Sequence, residues 1–208
     1  MTSVVFDLGG VLVDWNPRYL YRSLFDNDER AMESFLATVC SAEWHYQHDL
    51  GRPMSETCAE LAAANSEHAE LIWAWRERAG EMIGEAVGGS VDVLRELSDA
   101  GISCYALSNW PAETFGLCRG RFEFLNLFAG VVISGEEGVA KPDRAIFGRL
   151  LERFGLAPAS TLFVDDSRIH LATAESLGMT TVLFETPEGL REDLVSAGLL
   201  RPGPARPR

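Results

Sequence analysis

What the 208-residue chain has little of narrows its function first. Basic residues are scarce: 18 Lys and Arg stand against 31 Asp and Glu, a formal net charge of −13 at pH 7. That balance argues against nucleic acid and anionic membranes as partners, since both are bound by neutralising phosphates with Lys and Arg. The one basic cluster, Arg201-Pro-Gly-Pro-Ala-Arg-Pro-Arg208, is rich in Pro and Gly, which predicts a disordered tail over 201–208. Cysteines are few, at Cys40, Cys58, Cys104 and Cys118, with no CxxC pair and no Cys/His spacing of the zinc-binding kind. Free thiols suit a reducing compartment. No apolar run approaches the roughly 20 residues of a membrane span. No basic segment precedes an apolar stretch at the N-terminus, where Asp7 interrupts the one candidate. The expected location is the cytoplasm. Neither an internal repeat nor a low-complexity segment is visible.

What is present points to a packed α/β protein. Apolar residues make up 47% of the chain and charged residues 24%, the balance of a globular domain. Val4-Val5-Phe6 reads as a buried strand that ends on Asp7, followed by Gly9 and Gly10, where the chain turns sharply. From Arg18 to about Glu85 the apolar spacing is helical and no strand is evident; helices are expected around 18–25, 32–39, 55–61 and 67–82. Beyond it, strands alternate with helices. Strands are predicted at Ile102–Leu107, Gly130–Ile133, Thr161–Val164 and Thr180–Phe184, with a Gly-rich loop over Ser134–Ala140. The pattern predicts an α/β fold, a Rossmann-like parallel sheet built from 1–14 and 87–200 with an inserted helical cap over 15–86.

Each predicted core strand ends on polar groups: Asp7, then Ser108-Asn109, then Asp165-Asp166, with Lys141 ahead of a later helix. Alone, Ser108-Asn109 reads as a helix cap, Lys141 as a solvated loop residue and Asp165-Asp166 as the opening of a helix. In a parallel sheet, however, these ends share one edge, where open α/β sheets bind ligands. Crowded carboxylates raise one another's pKa, and a hard divalent cation such as magnesium resolves the repulsion. A lysine and a hydroxyl beside them suit a bound phosphate. The chemistry implied is a carboxylate nucleophile and phosphoryl transfer through a covalent intermediate.

Four stretches, in order, resemble the motifs of the haloacid dehalogenase (HAD) superfamily: Phe6-Asp7-Leu8-Gly9-Gly10-Val11-Leu12, Leu107-Ser108-Asn109, Lys141-Pro142 and Phe163-Val164-Asp165-Asp166. The resemblance covers nearly the whole chain and implies a helical cap inserted after the first strand, where the helical block falls. It implies Asp7 as nucleophile, Ser108 and Asn109 as holders of the substrate anion, and Lys141 steadying the nucleophile and the transferred group. It also implies magnesium held by Asp7, the Gly9 carbonyl, Asp166 and, in support, Asp165. The stretches Gly10–Trp15 and Gly138–Asp143 resemble a branch of small sugar-phosphate phosphatases, so the expected partner is a small phosphorylated metabolite; oligomeric state is left open.

One position departs from the pattern. Most phosphatases of this family carry a second Asp two residues after the nucleophile as general acid and base; here it is Gly9. Such a phosphatase needs another acid, for which His45 or His48 in the cap is the candidate, or a leaving group that departs easily; the stretch Glu43–Asp49 reads either as a specificity loop facing the substrate or as an ordinary helix end packing on the cap. The same glycine supports a metal-independent 2-haloacid dehalogenase, which expels halide without a proton, and a phospho-ligand binding protein without turnover. Asp165-Asp166 favours the phosphatase, because two carboxylates beside Asp7 need a cation to pair them.

Overall fold

Val4, Val5 and Phe6 have no exposed surface, the condition of a parallel strand covered on both faces. In the computed structural model, which describes residues 1–202, they belong to strand β1 (Ser3–Phe6). The rest of the core comprises β4 (Ser103–Ser108), β5 (Gly130–Ile133), β6 (Thr161–Asp165) and β7 (Thr180–Leu183), in spatial order β5-β4-β1-β6-β7 and parallel throughout. The chain runs outward from β1 to β5 on one side and then returns to build β6 and β7 on the other. The C-terminal end of β1 is therefore the point where the winding reverses, the place such sheets reserve for ligands.

The pleat divides the core in two. Val4 and Phe6 pack with α6 (Gly88–Asp99), α7 (Ala112–Arg121) and α11 (Pro187–Ser196). Val5, one residue out of phase, packs with α9 (Arg144–Phe154) and α10 (Arg168–Ser176) on the opposite face. Helix α9 has both sequence signals for its limits: the Asp143 carboxylate accepts from Ala145 N at its start, and Gly155 closes it at φ +63°.

Between β1 and α6 lies the helical insert: α1 (Arg18–Leu24), α2 (Glu29–Thr38), α3 (Ala42–Asp49), α4 (Met54–Ala64) and α5 (Ala69–Glu77). It has its own apolar centre, including Leu20, Tyr21, Met32, Phe35, Ile72 and Trp75. Trp75 is core while Trp73, on another face of α5, is only partly buried.

The sequence expectation of no strand between 18 and 85 needs correction. β2 (Val13–Trp15) pairs antiparallel with β3 (Ile83–Ala86), a short ribbon at the base of the insert. Gly84 and Glu85 have low strand propensity, so β3 owes its form to pairing across some 70 residues, which local periodicity does not reveal. The helix expected to reach Met82 ends at Glu77 and gives way to a 3-10 turn over Ala79–Met82. The loop expected over Ser134–Ala140 opens instead with one helical turn, α8 (Ser134–Glu137), which Gly138 closes at φ +68°. No described helix is long and apolar enough to cross a membrane. Of the tail expected to be disordered, residues 203–208 lie outside the described residues.

Candidate active site

The sheet itself brings Asp7 and Asp165 together. β1 and β6 are in register with Phe6 beside Val164, and Asp7 N donates to the Val164 carbonyl at 2.9 Å. Ser108 ends β4 on the other flank of β1. Into this edge comes Lys141, from the loop before α9, with no exposed surface at all. Its Nζ lies 3.0 Å from Asp7 Oδ1 and 2.7 Å from Asp165 Oδ2. It is also the sole lysine in the sequence, the other 17 basic residues all being arginine. A compact ammonium on a flexible stem fits between two buried carboxylates where a planar guanidinium does not.

Asn109 builds the cradle for that lysine. Its side chain accepts from Lys141 N at 2.8 Å and donates to the Lys141 carbonyl at 2.9 Å, clasping the backbone on both sides. Trp110 N donates to Ser134 Oγ at 3.0 Å, tying the same turn to β5. The Ser108 hydroxyl is different. It is buried and has no hydrogen-bond partner. A buried hydroxyl without a partner costs about 1–3 kcal/mol. That orphan donor at a strand end beside Asp7 is an observation a bound anion would resolve.

Charge is finely divided here. Burial pushes the Asp7 carboxyl up, against the Lys141 ammonium that pulls it down, and with Asp165 adding to the rise, to about 6. Asp7 is thus mainly ionised at neutral pH, with Oδ1 held by Leu8 N at 2.7 Å. Burial would raise Asp165 too, but Lys141 and the His170 ring outweigh it and hold that carboxyl below its usual range. His170 Nδ1 lies 3.0 Å from Asp165 Oδ1, and Ser167 N donates to the same oxygen at 2.8 Å. For Lys141, desolvation is more than offset by its two carboxylates, and its pKa is raised.

Asp7, Asp165 and His170 each place one potential ligand atom within 4.8 Å of the others, but the Asp165 oxygens there are already engaged. Lys141 and His170 already occupy the Asp165 carboxylate. The oxygens left over are Asp7 Oδ2, the Gly9 carbonyl and the exposed Asp166 carboxylate, none with a hydrogen-bond partner in another residue among the described residues. Burial and the nearby Asp165 charge hold Asp166 above its usual pKa, the strain that a cation relieves. Gly10 makes room for it: at φ +76°, a Cβ there would lie 2.4 Å from Asp166 Oδ2. Three hard oxygen donors suit magnesium.

The cap closes over the edge. Met54 N, at the start of α4, donates to Glu113 Oε1 at 2.6 Å, and Arg76 lies 3.5 Å from the same carboxylate. A cleft of about 600 Å³ opens between α5 and α7, lined by Arg76, Arg78, Glu113 and Leu117 among others. It shares Met54, Ala79 and Thr114 with a narrower gap walled by Trp15, Trp75, Trp110 and His45. Trp110 reaches within 3.9 Å of where a Gly9 Cβ would be. Aromatic rings thus wall the gap between the cap and the Gly9 turn.

The two cap histidines part company. His45 stacks on Trp15 at 5.1 Å and faces the aromatic gap. His48, expected at the substrate, turns into the cap instead: it is 1% exposed, with Nε2 2.6 Å from Thr57 Oγ1. Its i+3 position on α3 puts it under the helix, where only a polar partner lets it stay. Burial pushes His45 down to about 3 and His48 to about 4, so neither carries a proton to donate as imidazolium at neutral pH. Sequence reasoning missed His170, which grips Asp165, and Trp15, which walls the aromatic gap. For Lys141, composition held an unused signal: one lysine in 208 residues.

Comparison with known proteins agrees with this architecture. Residues 1–178 match the family described as "Hydrolase: haloacid dehalogenase-like hydrolase". A sesquiterpene phosphatase of Aspergillus oryzae is 29% identical over 182 residues, 85% of this chain and 86% of that protein. Mouse acyl-CoA dehydrogenase family member 10 is 27% identical over 92% of this chain, which spans 18% of that longer protein's length. Among solved structures, a Bacteroides thetaiotaomicron HAD enzyme in complex with magnesium and inorganic phosphate matches with a TM-score of 0.67. It is 21% identical, over 89% of this chain and 95% of that one. The chain belongs to the haloacid dehalogenase-like hydrolases.

Proposed function

We propose that this hydrolase is a magnesium-dependent phosphatase of small phosphate monoesters that works through an aspartyl-phosphate on Asp7. The observation that carries the reading is the Asp7–Lys141–Asp165 chain with Asp166 set beside it and unpaired. The Asp7 carboxylate attacks phosphorus through one oxygen and turns the other toward the metal donors, while Leu8 N and Lys141 fix its orientation through Oδ1. Lys141 has three N–H donors and spends two on carboxylates, leaving one for a phosphoryl oxygen. The Ser108 hydroxyl supplies another. Donors fixed before the reaction stabilise developing charge with no reorganisation. Asp7, the Gly9 carbonyl and Asp166 are the residues to hold magnesium, with Asp165 supporting; when bound, the ion neutralises phosphoryl charge. A dehalogenase has no use for Asp166, and that residue supports the phosphatase over it.

The aromatic lining and the sesquiterpene phosphatase relative support a leaving group with an apolar or flat body over the sugar phosphate that the sequence motifs suggest. The test is hydrolysis of p-nitrophenyl phosphate with and without magnesium, beside chloride release from 2-chloropropionate. Magnesium-dependent phosphate release, absent in Asp7→Asn, is expected. Metal-independent halide release would overturn the reading. Farnesyl phosphate and glucose 1-phosphate then separate the two substrate classes by kcat/KM.

A further inference from the structure

Expulsion of an alkoxide from phosphorus needs a proton, and hydrolysis of the acyl phosphate needs a base. Gly9 supplies neither, and His45 and His48, held neutral, have no imidazolium proton to give the leaving oxygen. One carboxyl group where the cap meets the core has no hydrogen-bond partner to explain its burial. Asp49 ends α3 at the inner edge of the cap and is 8% exposed. Its Oδ1 is buried with no hydrogen-bond partner, and His45 Nε2 stands off at 3.9 Å. A buried, unpartnered carboxyl is costly and calls for an explanation.

The cap holds that group against the core. The chain leaves α3 through Leu50 and Gly51, and Gly51 adopts φ +85° with no room for a side chain: a Cβ there would lie 2.9 Å from the Gly135 carbonyl. The end of α3 thus rests on α8, whose N-terminus follows β5 and receives the Trp110 bond. The groups acting on Asp49 are His45 from its own helix and, across the interface, Asp7 and Lys141. Burial first, then the Asp7 charge, push its carboxyl up to about 7, against the pull of Lys141. The negative end of the α3 dipole also favours the neutral acid.

We propose that Asp49 is the catalytic general acid and base of this hydrolase, giving its proton to the leaving oxygen and regaining one from the attacking water. The proposal rests on Asp7 as nucleophile. As the Asp7 oxygen bonds to phosphorus and the ester P–O bond breaks, the ester oxygen takes the Asp49 proton and departs as alcohol. Water then bonds to phosphorus, gives a proton to the Asp49 carboxylate, and the Asp7–phosphorus bond breaks, releasing inorganic phosphate. A proton donor in the cap ties chemistry to closure, since the acid reaches the leaving group only when the cap is shut.

The test compares kcat/KM of Asp49→Asn and wild type on two aryl phosphates of similar shape. Nitrophenolate leaves without a proton and phenolate does not leave readily. The expected result is a kcat/KM for p-nitrophenyl phosphate within a few-fold of wild type and a loss of about 100-fold or more on phenyl phosphate. In wild type, phenyl phosphate kcat/KM falls as rising pH deprotonates Asp49, and this limb is missing in the variant. Equal losses on both substrates would mean a structural role and overturn the proposal, as would no loss on either. Gly9 has ordinary backbone geometry and open space beside Trp110, so Gly9→Asp in the Asp49→Asn background restores phenyl phosphate turnover if the missing function is proton transfer. Failure of that rescue, with Gly9→Asp active in the wild-type background, also counts against it. Asp7→Asn abolishes turnover of both substrates if the underlying reading holds; retained turnover in that variant sinks the nucleophile assignment and the Asp49 role with it.

Discussion

Replacing Lys141 by Met keeps most of the side-chain volume and removes the charge. Its ammonium lies 3.0 Å from Asp7 and 2.7 Å from Asp165, with no solvent contact. Breaking a buried pair by deleting one partner leaves uncompensated charge and costs about 3–5 kcal/mol, against a total stability of about 5–15 kcal/mol for a typical domain. The cost must depend on pH, and its sign follows from the shifts. In wild type Asp165 titrates below its unfolded value, so its stabilisation is present above the unfolded pKa and is lost as pH falls through the folded one. In Lys141→Met the main influence lowering both Asp165 and Asp7 is gone and burial dominates. Both groups then bind protons more tightly folded than unfolded, and the variant loses stability as pH rises. The gap between wild type and variant therefore widens from pH 5 to pH 8. Urea unfolding in metal-free buffer at both pH values measures it. A gap under about 1 kcal/mol at pH 8, or one that widens on acidification, would refute the reasoning.

Other consequences are open to direct measurement. Because Asp49 titrates near 7 when folded, its ionisation opposes folding as pH rises, and Asn removes that cost; Asp49→Asn should stabilise the metal-free protein at pH 8 by on the order of 2–4 kcal/mol and leave it nearly unchanged at pH 4, read by urea unfolding. Gly10→Ala should lose about 1–2 kcal/mol from its left-handed backbone and, by displacing the Asp166 carboxylate, weaken magnesium binding in isothermal titration. Gly51→Ala combines φ +85° with a backbone clash against Gly135, so it should lower kcat/KM by displacing the cap while leaving magnesium affinity intact.

Much of this was legible from local pattern. Val4-Val5-Phe6 is a continuous apolar run ending on an acid, and Asp143 with Gly155 brackets α9. The clustering of Asp7, Ser108 and Asp165 follows once the strands are taken as parallel, because register sets their C-terminal ends side by side, whereas Lys141 is carried in by the loop before α9. What escaped depends on contacts between distant segments. β3 is held by a partner 70 residues away. Asn109 reads as a holder of the substrate anion, yet its side chain grips the Lys141 backbone across 32 residues. His48 has the composition of a substrate contact, but its place under α3 hands it to Thr57. Asp49 looks like an ordinary helix-end acid until the Gly51 turn seats it against the core. Local sequence carries Asp7 and Lys141; the seating of Asp49 is fixed by docking of the cap on the core, which no periodicity encodes.

The account turns on Asp7 becoming covalently phosphorylated. Turnover of an aryl phosphate with magnesium, quenched in acid during the steady state and followed by peptide mass analysis, tests this directly. The expected finding is one added phosphoryl group on the peptide bearing Asp7, absent without substrate and absent in Asp7→Asn. Rapid phosphate release with no such adduct on Asp7, or with the adduct on another residue, would contradict the mechanism.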